Sequence, residues 1–274
     1  MTDRITRTAA LLLATLLPAG PLEAEIFDPA DIVQAEILPG WRTAGGTQMA
    51  ALHLRLAPGW KTYWRAPGEA GIPAAFDLSG SRNIGNMVGH WPTPQVFDLG
   101  GMQSFGYHDA LVLPLEFTPQ GDGPMTLVAE INLGVCKDIC VPVTFNLTAD
   151  LAAGPAGTAK DPAILAALAS QPLPGHQAGL TGAHCTVAPI ADGMHVTALL
   201  DLPDLGGPEV GVIELADASV WVSSAETVRT GGQLRIAADL VAQDSAPFAL
   251  DRSTLRITVL GRDSAVDILG CDAG

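Results

Sequence analysis

Apolar and polar positions along this chain follow a period of two, not the three-to-four spacing of helices. Met49 to Leu56 ends in strict alternation, with Leu52, Leu54 and Leu56 on one side and His53 and Arg55 on the other. Leu111 to Phe117, Met125 to Leu133 and Val141 to Leu147 continue the pattern. Between these runs stand turn-forming pairs and triplets: Pro58-Gly59, Pro67-Gly68, Gly100-Gly101 and Gly121-Asp122-Gly123. Short alternating runs broken by frequent turn signals predict an all-β sandwich.

The pattern is interrupted once. Ala152-Ala153-Gly154-Pro155-Ala156-Gly157 has linker composition, and a short Ala- and Leu-rich segment follows it. Asp161 is placed to cap a helix there, Pro162 suits its first position, and Pro172 ends it. From about residue 176 the alternation resumes. Thr186 to Ala188, His195 to Leu200, Glu209 to Leu215, Val220 to Val222, Gln233 to Leu240 and Leu255 to Leu260 are the predicted strands, with turns at Asp192-Gly193 and Gly231-Gly232. The expected fold class is therefore all-β: two immunoglobulin-like β-sandwich domains joined by a short helical linker. The expected bounds are 25–150, 151–175 for the linker, and 176–274.

The N-terminus changes the picture. Arg4 and Arg7 precede a charge-free apolar run from Thr8 to Leu17, which Pro18, Gly20 and Pro21 break before Ala24. Basic, apolar and small-residue regions in that order predict a signal peptide over 1–24. The run is too short to span a bilayer, and no later stretch is apolar for long enough. The mature chain is expected to be exported, soluble and periplasmic, without membrane insertion. Its formal net charge of -15 repels phosphate backbones, so nucleic acid is not an expected partner.

Four cysteines, at 136, 140, 185 and 271, suit two disulfides in an exported protein, although three pairings are open. Cys136-Lys137-Asp138-Ile139-Cys140 lies between two strand-like runs. Leu127, Ala129, Ile131 and Leu133 share one face before it, and Val141, Val143, Phe145 and Leu147 share one after it. The simplest local structure is an antiparallel hairpin with a three-residue loop and the two cysteines facing each other. Cross-strand Cβ atoms stand ~4.5–5.5 Å apart, whereas a relaxed disulfide prefers ~3.8 Å. Some strain is therefore expected, and strained, exposed disulfides tend to be the labile ones. Lys137 favours a thiolate and Asp138 opposes it. Pro142 and the β-branched run exclude the helix N-terminus that activates a thioredoxin-type thiol. The pair is thus expected to be attacked by a better nucleophile. Two other readings stand beside this one. The first is a structural staple, although so short a loop removes little unfolded-state entropy. The second is a copper(I) site made with Met102 or His108.

Cys185 opens the second sandwich and Cys271 closes it. Chain ends of a domain often lie close together, so these two are expected to form a structural disulfide. Trp60 and Trp64 share a strand face suited to core packing, while Lys61 and Tyr63 occupy the other face and can border the cysteine pair. His108 and Asp109 are adjacent and point to opposite faces, and His90 has no evident partner. No catalytic triad order, phosphate loop or zinc-spaced cysteine set is present in the sequence, and neither a resident metal nor a cofactor is expected.

Residues 59–147 resemble the N-terminal periplasmic domain of DsbD-type thiol:disulfide interchange proteins, in the ScsB-like branch linked to copper tolerance. The resemblance rests on Gly59-Trp60-Lys61-Thr62-Tyr63-Trp64-Arg65-Ala66-Pro67-Gly68-Glu69-Ala70-Gly71, Trp91-Pro92-Thr93-Pro94, Phe105-Gly106-Tyr107-His108-Asp109, Leu113-Pro114-Leu115 and Cys136-Lys137-Asp138-Ile139-Cys140-Val141-Pro142, in that order. It implies an immunoglobulin-like sandwich whose Cys136–Cys140 pair passes reducing equivalents, making the chain a protein-disulfide oxidoreductase or electron-transfer component. It further implies that Cys140 forms the mixed disulfide. An aromatic-bearing loop covers the pair in the family. The corresponding stretch here is about 95–106, with Phe97 and Phe105 as caps. The implied partners are a membrane-embedded electron donor and a periplasmic thioredoxin-like or disulfide-isomerase acceptor. The cysteine spacing in DsbD itself is wider. The family's transmembrane and thioredoxin-like domains have no counterpart in this sequence, so the donor is expected to be a separate protein.

Overall fold

The structure, a computed structural model, describes residues 28–69, 71–151, 160–217, 219–262 and 264–274. The expected signal peptide and the Ala152–Gly157 linker lie outside the described residues.

In the first sandwich the strands are β1 (Val33–Arg42), β2 (Gln48–Leu56), β3 (Lys61–Gly68), β4 (Ala75–Asp77), β5 (Met87–Gly89), β6 (Gln95–Leu99), β7 (Met102–His108), β8 (Ala110–Phe117), β9 (Met125–Cys136) and β10 (Cys140–Leu151). Among the described residues, one sheet has the order β1-β2-β8-β5 and the other β10-β9-β3-β7-β6, with β4 also on β9. The alternation read from the sequence faces inward as expected: Leu52, Leu54, Leu113, Leu115, Leu127, Ile131 and Leu133 are all buried. Trp60 and Trp64 join them, and Trp64 is fully enclosed.

The helix after the linker is α2 (Pro162–Ala169), preceded in the chain by a single turn, α1 (Pro29–Ile32). The Asp161 carboxylate accepts from the backbone N–H groups of Ala163 and Ile164, so the cap is made. Buried Ile164 packs with Trp41, Met49 and Ala51, so α2 lies against the first sandwich.

The second sandwich contains β11 (Leu173–Pro174), β12 (Gly182–Ile190), β13 (Gly193–Asp201), β14 (Val210–Glu214), β15 (Trp221–Val222), β16 (Glu226–Thr230), β17 (Gln233–Val241), β18 (Arg256–Leu260), β19 (Ala265–Leu269) and β20 (Asp272–Ala273). Its sheets run β11-β19-β18-β14 and β15-β17-β13-β12-β20, with β16 also on β17. Fold class is thus all-β with two sandwiches. Cys185 and Cys271 are bonded, with Cα atoms 5.6 Å apart. Cys271 sits between β19 and β20, so a strand absent from the sequence reading intervenes after β18.

The sandwiches touch directly. Val212, Leu260 and Ala265 of the second belong to the same buried cluster as the core of the first. Arg65 of β3 reaches across this junction. Its guanidinium donates to both carboxylate oxygens of Glu214, to the Thr258 hydroxyl and to Asp267. The Arg65 and Glu214 side chains are each 15% exposed, so this bidentate pair is largely withdrawn from solvent.

Candidate functional site

The site starts from the β9–β10 hairpin. Its register is continuous from Leu151↔Met125 to Cys140↔Cys136, and Lys137 N–H donates to the Ile139 carbonyl to close the tip. Register is set by the inward run of Leu127, Ala129, Ile131 and Leu133, because a one-residue slip would turn all four outward. The pairing brings Cys136 and Cys140 face to face with Cα atoms 4.1 Å apart, and they are bonded. The two ends of the bond differ in access. Cys136 is 2% exposed, whereas Cys140 is exposed, beside Ile139 at 54%.

Strand β3 supplies the next shell, pairing Lys61 with Cys136 and Thr62 with Val135. Alternation sends Trp60 and Trp64 to the core and leaves Lys61 and Tyr63 on the cysteine side. The Tyr63 hydroxyl donates to Cys136 Sγ at 2.7 Å and stands 3.3 Å from Cys140 Sγ. Burial pushes the Tyr63 pKa up, so the hydroxyl keeps its proton and remains a donor. Burial pulls the Lys61 pKa down. Its ammonium donates to Ser104 Oγ at 3.2 Å and lies 4.5 Å from the Phe97 ring centroid. Two close approaches seal the remaining side. A Cβ on Gly134 would stand 2.6 Å from Ile72, and one on Gly71 would stand 2.9 Å from the Tyr63 ring. Neither position has room for a larger residue.

The stretch 95–106, expected as a covering loop, is instead the β6–β7 hairpin, turning at Gly100 and Gly101 with φ of 63° and 90°. Two consecutive positive-φ residues suit the tight turn that joins twisted antiparallel strands. This pairing separates the two proposed caps. Phe97 pairs with Ser104, and so shares the face that meets Lys61 and His108. Phe105 faces the other way, 5% exposed, edge-on to Trp64 with centroids 6.4 Å apart. Phe105 is therefore a core residue and not a cap, because adjacent strand residues point to opposite faces.

The copper set is not assembled by this arrangement. His108 pairs with Lys61, which pairs with Cys136, so two strand spacings, roughly 10 Å, separate the backbones of His108 and Cys136. Met102 begins β7 at the far end from His108, roughly 20 Å along the strand. His108 Nδ1 is instead 3.2 Å from the Trp60 carbonyl. No cluster of three or more His, Cys, Asp or Glu suited to a metal occurs among the described residues. His90, without a partner in sequence, meets Glu116 at 2.9 Å. Asp109 takes a left-handed φ of 64° at the turn into β8.

Residues 33–152 match the family model of the thiol:disulfide interchange protein DsbD, N-terminal. That segment is a DsbD-type N-terminal domain. Among solved structures, the N-terminal periplasmic domain of ScsB from Proteus mirabilis is similar over 91% of this chain and 97% of its own. It is 22% identical, with a TM-score of 0.65. At that identity the likeness is one of fold, and it extends over both sandwiches. The reduced DsbD n-terminal domain of Neisseria meningitidis aligns over 47% of this chain and 97% of its own, at 14% identity and a TM-score of 0.27. No curated protein matches the chain. No helix among the described residues is long and apolar enough to cross a membrane.

Proposed function

We propose that this chain is an exported, periplasmic thiol–disulfide exchange protein that passes reducing equivalents through Cys136 and Cys140 to exported partner proteins. The observation that carries the proposal is the asymmetry of the bond: Cys140 is an exposed residue, whereas Cys136 is buried and its sulfur accepts from a hydroxyl donor. A donor thiolate attacks Cys140 Sγ in line with the bond, the Cys136–Cys140 bond breaks, and Cys136 leaves as a thiolate. The Tyr63 hydrogen bond favours that thiolate, and exchange is faster when the leaving thiol is more acidic. The donor's second thiol then displaces Cys140, so the donor is oxidised to a disulfide and this pair is reduced to two thiols. In the second half-cycle the Cys140 thiolate attacks the partner's disulfide and Cys136 resolves the mixed species. The partner leaves as a dithiol, two electrons richer, and the pair returns to its oxidised form.

The division at 25–150 and 176–274 belongs to this reading, with the exchange chemistry in the first unit. So do a separate membrane-embedded donor and a thioredoxin-like or isomerase-type acceptor. The test is the reduction potential of the Cys136–Cys140 bond together with a trap. Structural disulfides lie below about −300 mV, and a value that low would end the proposal. Cys136→Ser should accumulate a mixed disulfide on Cys140, whereas Cys140→Ser should not.

A further inference from the structure

Strand β10 stands at the end of its sheet and pairs with β9 alone among the described residues. Its first residue is Cys140, the residue that the exchange reading opens to partners. We propose that an extended, cysteine-bearing segment of the partner polypeptide adds to β10 as a further antiparallel strand, with its cysteine directly opposite Cys140. The proposal rests on the exchange reading above and names how that site takes its partner.

Register is the first ground. In an antiparallel pair, residues that exchange both hydrogen bonds alternate with residues that turn their N–H and C=O away. Three contacts fix that parity in β9. The Gly134 carbonyl accepts from the Thr62 hydroxyl, and the Ser81 hydroxyl donates to the Val128 carbonyl and accepts from its N–H. Thr126 exchanges both backbone bonds with Arg82. The even-numbered residues of β9 thus face away from β10. Their partners are the even-numbered residues of β10, which therefore turn their backbone groups away from β9. Cys140, Pro142, Thr144, Asn146, Thr148 and Asp150 are all exposed. The outward N–H and C=O of Thr144, Asn146 and Thr148 take no hydrogen bond among the described residues. Pro142 fits the same parity, since its missing N–H falls on the outward side and costs no bond to β9. β1 of the facing sheet runs beside β10 but pairs with β2. Such an edge is a template for another extended chain, whose main-chain hydrogen bonds supply affinity.

Distance is the second ground. Cys140 turns its backbone groups outward, so the residue opposite it on an added strand is a hydrogen-bonded partner, with Cα atoms ~5.5 Å apart. Disulfides favour Cα separations of ~5.5–6 Å. A partner cysteine at that position forms the mixed disulfide within the range of an unstrained bond, its side chain on the same face of the sheet as that of Cys140. Its thiolate attacks Cys140 Sγ, the new sulfur–sulfur bond forms as the Cys136–Cys140 bond breaks, and Cys136 leaves as a thiolate. Cys136 belongs to β9, so the side of Cys140 away from the leaving sulfur is the open edge.

Charge and side-chain chemistry select the occupant. A second copy of this chain would bring another net charge of -15 against the first. Paired antiparallel about the middle of the exposed run, with Thr144 opposite Asn146, it would also set Asp150 opposite Cys140 and cover the residue that must react. The side chains next along the edge, Thr144, Asn146 and Thr148, are neutral and polar. A segment of threonine and other β-formers matches them through cross-strand pairs.

The probe is a blocked nine-residue peptide that alternates threonine and valine and ends in cysteine. Laid antiparallel with its cysteine opposite Cys140, it points its threonine amides at β10 and its valine amides away. Two further versions are N-methylated, one on two central threonine amides and one on two central valine amides. The full chain carrying Cys136→Ser is equilibrated with each peptide in competition with glutathione, and the mixed disulfides on Cys140 are quantified by mass spectrometry. The unmethylated and valine-methylated peptides should be favoured over the threonine-methylated one by roughly tenfold or more, the effect of two lost hydrogen bonds. Adding Asn146→Pro removes an outward N–H and no bond to β9, so it should erase that preference with the far-UV circular dichroism unchanged. If that variant does not fold, the two methylated peptides decide alone. Equal capture of the two methylated peptides, or a preference that survives in folded Asn146→Pro, would overturn the edge proposal. So would a dimer in sedimentation equilibrium that Asn146→Pro dissociates, since the edge would then belong to a second copy. The wild-type disulfide separates the two readings. If it proves inert while the methylation preference holds, the edge stands as a binding site and the exchange reading falls. An exchangeable bond in a chain blind to methylation does the reverse.

Discussion

The Tyr63 hydroxyl donates at 2.7 Å to the Sγ of Cys136, a buried residue, and stands 3.3 Å from the sulfur of Cys140, an exposed residue. One strand thereby assigns different parts to two chemically identical atoms. The sulfur that a partner can reach is not the one that the protein stabilises.

Tyr63→Phe removes that donor and keeps the ring. Hydrogen bonds to charged groups contribute about 1.5–3 kcal/mol, so attack at Cys140 by a small thiol should slow by about tenfold or more. Thermal stability should change little. The wild-type rate should also show no inflection near pH 10 from Tyr63, since burial raises its pKa above the ordinary tyrosine value. Stopped-flow reduction across pH 7–10 measures both.

Phe97 and Phe105 should behave differently, because they lie on opposite faces of the β6–β7 hairpin. Phe97→Ala uncovers the Lys61 side of the site and should speed reduction by glutathione several-fold, with a small stability change. Phe105→Ala empties a core position against Trp64 and should cost about 3–5 kcal/mol in unfolding free energy. Denaturant titration paired with reduction kinetics separates them. Equal rates for Phe97→Ala and wild type would remove the cover from the mechanism.

Removing the second disulfide tests whether it serves only structure. Its cysteines are 86 residues apart, and a loop of that length contributes about 4–5 kcal/mol in the chain-entropy account. Cys185→Ala/Cys271→Ala should therefore lower Tm clearly while exchange at Cys136 and Cys140 continues. Loss of exchange in a still-folded double mutant would give the pair a redox role.

The junction around Arg65 should be acid-labile. Burial raises the Asp267 pKa, but hydrogen bonding to Arg256, the charges of Arg256 and Arg65, and the Thr258 hydroxyl outweigh it, so the net shift is downward. A carboxylate lowered in the folded state contributes stability that is full above its unfolded pKa of about 3.9 and is lost as pH falls through the folded value. Hydrogen exchange at β14 and β18 should be flat from pH 8 to about 5, after correction for intrinsic rates. Protection should fall below about pH 4, and Asp267→Asn should remove the acid-dependent part.

Local pattern was enough for much of this protein. Period-two alternation with Gly- and Pro-bearing turns specified strands on both sides of the linker, and Asp161-Pro162 specified the start of α2. The inward run from Leu127 to Leu133 set the hairpin register that joins Cys136 to Cys140. These features depend on neighbours within a few residues, so they are written where they act. The strands β6, β7 and β19 carry no such local signal, and only the faces of β3 are legible, not its partners. The run of β7 mixes core and site positions, and β6 and β19 are too short to show a clear period. Tertiary structure alone decided which sulfur is buried, that Tyr63 reaches both, that Phe105 turns to the core, and that Arg65 joins the sandwiches. Each depends on register between strands far apart in sequence, as with Lys61 beside Cys136. That register follows from how whole sheets pack, and no local run of residues encodes it.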